Sequence, residues 1–375
     1  MLLTQDQKMI RDAVRAFAQE ELWPHAAQWD RDHTFPRQAH KGLAALGCYG
    51  ICVPEEYGGA GLDYLTLSLV LEEIAAGDGG TSTAISVTNC PYNAILMKYG
   101  TQAQKQQWLV PAARGDILGA FCLTEPHAGS DASAVRTTAT REGGEYALNG
   151  VKQFITSGQN GQAAIVIAVT DKNAGKKGLS AFIVPTSNPG WKVAGLERKL
   201  GQHSSDTAQI LLQDCRIPGQ NRIGEEGEGY KIALSALEGG RIGIASQSVG
   251  MARSALEFAI RYAKEREAFG MPIFEHQAVA FRLADCATRL EAARQLIWHA
   301  AALRDAGQPC LKEAAMAKLF ASEAAEHVCS TAIQTLGGYG VTADFPVERI
   351  YRDVRVCQIY EGTSDVQKII ISRAL

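Results

Sequence analysis

The chain has 375 residues, 46% of them hydrophobic, and its 37 Lys+Arg against 40 Asp+Glu leave a net charge of −3. That length exceeds what one small core organises, so two or three domains are expected, and without a basic stripe nucleic acid is excluded as a main partner. The longest apolar runs, such as Ala163 to Thr170, fall far short of the roughly 20 residues of a spanning helix, and MLLTQDQKMIRD lacks a signal-peptide core, so no membrane insertion and a cytoplasmic location are expected.

Helical signals fill the N-terminal third. Thr4 and Gln7 can form a capping box for a helix in which Ile10, Ala13, Val14 and Phe17 follow helical spacing. Pro24 is expected to break it. Further helices are expected over 37–46, 64–76, 84–98 and 102–110, the last behind an N-cap at Thr101. From about Gly119 the texture turns to short β-prone segments split by turns, over 119–125, 145–156, 163–170, 179–185, 191–195 and 208–217, which suggests a small barrel or sandwich. After Gly229 come long helical stretches over 230–269, 274–306 and 311–336 and a last short helix from Ser364. Long helices joined by short loops suit an antiparallel four-helix bundle. The expected fold is therefore α+β: an N-terminal helical domain over 1–117, a central β domain over 118–224 and a C-terminal four-helix bundle over 225–375.

Familiar signatures are mostly missing. The nine cysteines include no CxxC and read as buried apolar filler. The eight histidines form neither HExxH nor a cluster, so no metal is expected, and His127, His203 and His276 read as structural. GEGYKIA, from Gly227, lacks the third glycine of a dinucleotide fingerprint and has no βαβ unit around it, which disfavours a nicotinamide dehydrogenase. P-loop, G-x-S-x-G and kinase signatures are absent. One charge stands out in IYEGTSDVQ, where Glu361 follows an apolar run and precedes Gly362. It is either a solvated residue ahead of a helix that Ser364 and Gln367 cap, or a partly buried base whose pKa desolvation raises.

FCLTEPHAGSD, from Phe121 to Asp131, resembles the flavin signature of the acyl-CoA dehydrogenase family. KQFITSG (from Lys152), EREAFG (from Glu265), QTLGGYG (from Gln334) and IYEGTSDVQ follow in that family's order and spacing, so the resemblance spans the whole chain. It implies FAD as cofactor, an acyl-CoA thioester as substrate and a trans-2-enoyl-CoA as product. A carboxylate removes the α-proton while the β-hydrogen leaves as hydride to flavin N5, and electrons pass on to an electron-transfer flavoprotein. The resemblance assigns the base to Glu361, with its own backbone N–H on the thioester oxygen, Tyr360 and Gly362 beside the substrate, and Arg241 bracing the base. Some relatives carry the base immediately before that arginine; here the position is Gly240, and Glu238 lies roughly 200° round the helix from it. Around FAD the resemblance points to Phe121, to Leu123 and Phe154 packing on the ring, to Thr124 and Thr156 bonding its pyrimidine edge and N5, and to Ser130 touching both pyrophosphate and CoA. Phe154 stands where relatives often have Trp. The adenosine half of FAD would reach Arg266, Phe269, Gln277, Gln334 and Gly338 of a neighbouring subunit in a homotetramer, a dimer of dimers. Thr363 and Asp365 would complete the cradle, although an acid near phosphate is unfavourable unless it faces ribose or adenine.

The C-terminal half is similar to the short-chain, butyryl-type branch, which implies short- to medium-chain substrates. In the glutaryl-specific branch an arginine holds the distal carboxylate; here Ser82 takes that place, which disfavours a dicarboxylate. Chain length is expected to be set around Ile85 to Asn93. Two alternatives stay open: an acyl-CoA oxidase on the same scaffold, and a non-enzymatic helical assembly protein.

Overall fold

The computed structural model describes residues 2–375. Helix α1 (Gln5–Phe17) opens on the Thr4–Gln7 capping box. Pro24 does not stop the chain: it winds through one π turn at Ala18–Leu22 and continues as α2 (Trp23–Asp32). A π turn adds a residue to the ladder, so a proline that lacks an N–H and crowds the preceding turn is accommodated at the start of α2. After α3 (Arg37–Ala45), α4 (Tyr64–Gly77) and α5 (Gly79–Val87), the helix expected over 84–98 is split. Cys90, ahead of Pro91, is extended (φ −152°, ψ 119°), and α6 (Ala94–Tyr99) starts beyond it, because proline drives its predecessor out of the helical region. Short α7 (Gln102–Gln104), a π turn and α8 (Val110–Arg114) finish the helical region.

Eight strands then form one mixed sheet: β1 (Gly119–Cys122), β2 (Thr138–Glu142), β3 (Glu145–Thr156), β4 (Ala163–Val169), β5 (Leu179–Pro185), β6 (Trp191–Leu196), β7 (Thr207–Pro218) and β8 (Arg222–Ile223). Their order is β6-β7-β3-β2-β4-β5-β8, with β1 parallel to β4. The sequence gives no sign of β2, since TATRE is polar and mostly exposed. β4 is apolar throughout because both its faces are covered. Ile165 and Ile167 pack with Ile95, Leu96 and Leu109 of the helical region. Val166 and Ala168 pack with Leu148, Ile210 and Leu212 of β3 and β7, so the sheet curls around an inner core.

The C-terminal part consists of α9 (Gly229–Glu265), a small hairpin of β9 (Glu267–Ala268) and β10 (Met271–Pro272), α10 (Gln277–Asp305), α11 (Leu311–Leu336), α12 (Val347–Val354) and α13 (Ser364–Ser372). The first two long helices are shorter than expected because the hairpin takes the chain between them, turning at Phe269 and Gly270, both left-handed (φ 55° and 80°). α12 was not expected. It packs on α11, as does α13. Leu65 and Leu69 of α4 share a core with Ile242, Ala245 and Val249 of α9, so the two helical regions are joined through one apolar interior.

Candidate active site

A cavity of about 680 Å³ opens where the three regions meet. The end of β1 supplies Phe121, Leu123 and Thr124, the following loop Ser130, and β3 Phe154 and Thr156. α9 contributes Arg241, and the segment before α13 contributes Tyr360, Glu361 and Gly362. Residues read from four separated stretches of sequence thus line one space.

Phe154 reaches it through a defect in the sheet. Between Lys152 and Ile155 the register of β3 against β7 slips by one residue, and Phe154 adopts a left-handed conformation (φ 58°) with 61% of its surface exposed. A bulge re-aims a side chain out of the ladder, and an aromatic at positive φ stores strain of about 1 kcal/mol or more. Among the described residues, the hydroxyls of Thr124 and Thr156 have no hydrogen-bond partner within the protein. An exposed ring and two unengaged hydroxyls on one wall are suited to a flat, heteroatom-edged ring, and this chemistry fits a flavin.

Glu361 is also left-handed (φ 55°), followed by Gly362 (φ 90°). The residue as a whole is part-exposed, yet its Oε2 is buried without a hydrogen-bond partner. Burial lifts its pKa to about 7, against the pull of Arg241 and Lys318. Arg241 is 5% exposed, and its Nε and Nη1 are buried and unpaired; burial draws it below the usual arginine value, against Glu361 and Glu238. The Glu361 carboxylate needs the glycine opposite: a Cβ on Gly240 would meet its atoms at 2.8 to 3.0 Å. Glu238 turns elsewhere and accepts from Arg304 Nη1 at 2.8 Å.

The 361–362 turn is held by two buried groups, Lys318, which sequence reasoning missed, and Gln367, which it read as part of a cap. Lys318 Nζ donates to Gly362 O at 2.7 Å. Gln367 Nε2 donates to Gly362 O at 2.8 Å and to Glu361 O at 3.2 Å. The Ser364–Gln367 capping box is therefore corrected: Thr363 is the N-cap, its hydroxyl accepting from Val366 N at 3.3 Å, and Gln367 is engaged with the turn. Tyr360 shares a polar network with Gln247, whose Nε2 donates to Thr83 Oγ1 at 3.0 Å, and Thr83 donates to Gln202 Oε1 at 2.7 Å.

Ser82 does not reach the cavity. Its hydroxyl donates to Leu71 O at 3.1 Å, and Thr83, Ser86, Val87 and Pro91 line the wall instead. Ile85 belongs to the core of the N-terminal helices. The remaining expected cofactor contacts lie outside this cavity. Arg266 and Gly338 line a shallower one of about 450 Å³, with the Arg266 guanidinium 6.0 Å from the Tyr339 ring centre. Phe269 is 94% exposed, and Gln277, Gln334 and Asp365 are exposed.

Models of the acyl-CoA dehydrogenase N-terminal, middle and C-terminal domains match residues 4–116, 120–215 and 227–375. The chain is 48% identical over 370 residues to the short-chain specific acyl-CoA dehydrogenase, mitochondrial, of Rattus norvegicus, a match covering 99% of this chain and 90% of that one. The solved structure of butyryl-CoA dehydrogenase from Megasphaera elsdenii superposes with a TM-score of 0.98 at 40% identity, covering 100% of this chain and 99% of that one. A chain in the structure of the electron transferring flavoprotein of Acidaminococcus fermentans gives a TM-score of 0.98 at 46% identity, covering 100% and 98%.

Proposed function

The chain belongs to the acyl-CoA dehydrogenase family, FAD-dependent oxidoreductases acting on CH–CH donors, and on that footing we propose that it converts short- to medium-chain acyl-CoA thioesters to trans-2-enoyl-CoA with Glu361 as the base. The observation that carries this reading is the Glu361 carboxylate, its Oε2 buried and unpaired, in the same cavity as Phe154, Thr124 and Thr156.

An α-proton is a weak acid, so its base works best with a pKa near the operating pH. Burial gives Glu361 that property. As the proton moves to Glu361, charge develops on the thioester oxygen, and a donor set in place beforehand stabilises it. Glu361 N has no acceptor among the described residues, and the left-handed turn fixed by Lys318 and Gln367 holds that N–H and the carboxylate in one rigid unit. The cofactor, when bound, accepts the β-hydrogen as hydride. Leu123 and Phe154 would pack on its ring, with Phe121 beside them, Thr124 and Thr156 would hold its polar edge, and Ser130 would sit at its pyrophosphate. Arg241 keeps the base oriented by charge across the cavity and forms no ion pair with it within 4 Å.

For the substrate, similarity to a short-chain dehydrogenase and a butyryl-CoA dehydrogenase supports a short straight acyl chain. The wall of Thr83, Ser86, Val87 and Pro91 carries no cation to hold a distal carboxylate. Similarity to a chain of an electron transferring flavoprotein structure supports such a protein as electron acceptor. Arg266, Phe269, Gln277, Gln334 and Gly338, all exposed, support contact with the adenosine half of a neighbouring subunit's FAD in a homotetramer, with Thr363 and Asp365 closing the cradle.

The test is an anaerobic visible spectrum of the purified protein before and after butyryl-CoA, octanoyl-CoA and isobutyryl-CoA, with Glu361→Gln as control. Bleaching of the flavin band by wild type and not by the variant is the expected result, and the extent of bleaching ranks the substrates. Bleaching that survives in Glu361→Gln would sink the assignment of the base.

A further inference from the structure

Lys152 is a fully buried charge that the proposed chemistry leaves unused. Its side chain is 0% exposed, and the Glu125 carboxylate beside it 2%. Nζ donates to Glu125 Oε1 at 2.8 Å and to the backbone carbonyl of Leu123 at 3.1 Å. Withdrawing both ions from water costs several kcal/mol each, and an apolar pair of similar volume stabilises a fold as well or better. Stability alone therefore gives no reason for a buried ammonium here.

The pair is oriented. Glu125 does not line the cavity and accepts from two further donors, Arg136 N at 2.7 Å and Thr137 N at 2.9 Å, with His127 Nε2 3.5 Å from its Oε2. The ammonium end meets the Leu123–Thr124 peptide, and both of those residues line the cavity. In a trans peptide the carbonyl and the next N–H point opposite ways, so a cation on Leu123 O polarises Thr124 N–H on the other side. Thr124 N has no acceptor among the described residues. The same segment is pinned a second time, by Gln153 N donating to Thr124 O at 2.9 Å, and the strand that supplies both pins continues into Phe154 and Thr156.

Two-electron reduction of a flavin places negative charge at its pyrimidine edge, and donors backed by positive charge favour the reduced form. We propose that Lys152 is a positioning residue whose ammonium, acting through the Leu123–Thr124 peptide, raises the reduction potential of the bound flavin. This rests on the flavin reading above.

The potential is read by anaerobic dye-coupled reduction of the flavin-loaded wild type, Lys152→Met, Glu125→Gln and the double variant. Lys152→Met is expected to shift the potential negative and Glu125→Gln positive, because the two ends of the pair act with opposite sign. A merely structural role would move both the same way. The double variant, which leaves no buried charge unpaired, is expected below wild type and stands in for Lys152→Met should that protein not fold. Unchanged potentials, or shifts of one sign, with the flavin band intact overturn the role of Lys152 alone. A wild-type protein purified without a flavin band overturns the flavin reading itself.

Discussion

Glu361 adopts a backbone conformation (φ 55°) that costs a non-glycine residue about 1 to 2 kcal/mol, and its carboxyl is buried at the same time. Both features work against stability, and a base needs both. The carboxyl titrates near 7, so kcat/KM for butyryl-CoA is expected to rise about tenfold per pH unit below that value and to level off above it. Stability runs the other way. A carboxyl whose folded pKa lies above its unfolded one weakens the fold as pH rises from about 4.5 to about 7, because the unfolded chain then loses its proton first. Glu361→Gln is therefore expected to be more stable than wild type at pH 8, by about 3 kcal/mol at most, and so to melt higher there, and to be level with it at pH 4. Equal melting temperatures at both pH values would show that the carboxyl is not held in an unfavourable setting. A second test concerns the glycine opposite: Gly240→Ala puts a methyl 2.8 Å from the carboxylate, and the displaced base is expected to lower kcat on the order of a hundredfold. Glu361 is legible in sequence as a charge that interrupts an apolar run. Lys318 is not, since a lone lysine in AAMAKLFA reads as a solvated helix face and its acceptor lies 44 residues away.

At the level of elements, legibility follows how local the cause is. The Thr4–Gln7 box and the strand at Leu179–Pro185 depend on neighbours in sequence, and both are where the capping signature and the short β-prone run between turns put them. The split at Cys90–Pro91 was available from the proline but hidden by the helical spacing on either side. The continuation through Pro24 depends on a π turn, which has no signature of its own. β2 is held by pairing with β3 rather than by apolar content. The start of α13 shows how an element acts on the site. Gln367 has the sequence signature of a cap, yet its amide ties the helix to both carbonyls of the 361–362 turn. Gln367→Leu keeps the volume and removes both bonds. The expected outcome is a fall in kcat of about tenfold with KM and the far-UV circular dichroism spectrum little changed. A change confined to KM would place the role of Gln367 in binding instead.

The cavity that holds Glu361 is built from three regions, so anything that lets the regions shift also loosens the site. The two helical regions are joined by a polar network centred on α4, where Glu72 and Glu73, 6% and 2% exposed, are the only charged residues of the helix. Arg15 of α1 donates to Glu73 at 2.7 and 3.0 Å, and Arg253 of α9 donates to it at 2.6 Å. Arg294 of α10 donates to Glu72 at 2.9 and 3.1 Å. Four helices from the two ends of the chain thus converge on two adjacent carboxylates. Such a network is poor evidence of net stabilisation, but breaking it from one side leaves charges buried without partners, at a cost of about 3 to 5 kcal/mol. Glu73→Gln takes from Arg15 its carboxylate partner and from Arg253 its shortest contact, leaving Arg253 with Glu72 and Glu257 at 3.2 Å each, whereas Arg15→Gln removes the more exposed partner, 38% exposed at its side chain, and leaves Glu73 with Arg253. Denaturant unfolding is therefore expected to lose several times more stability in Glu73→Gln than in Arg15→Gln. The loss should persist at high salt, because screening reaches surface pairs far more than buried ones. Equal losses, or a loss that salt abolishes, would mean that water reaches the network, and the helices would then be joined by their apolar faces alone.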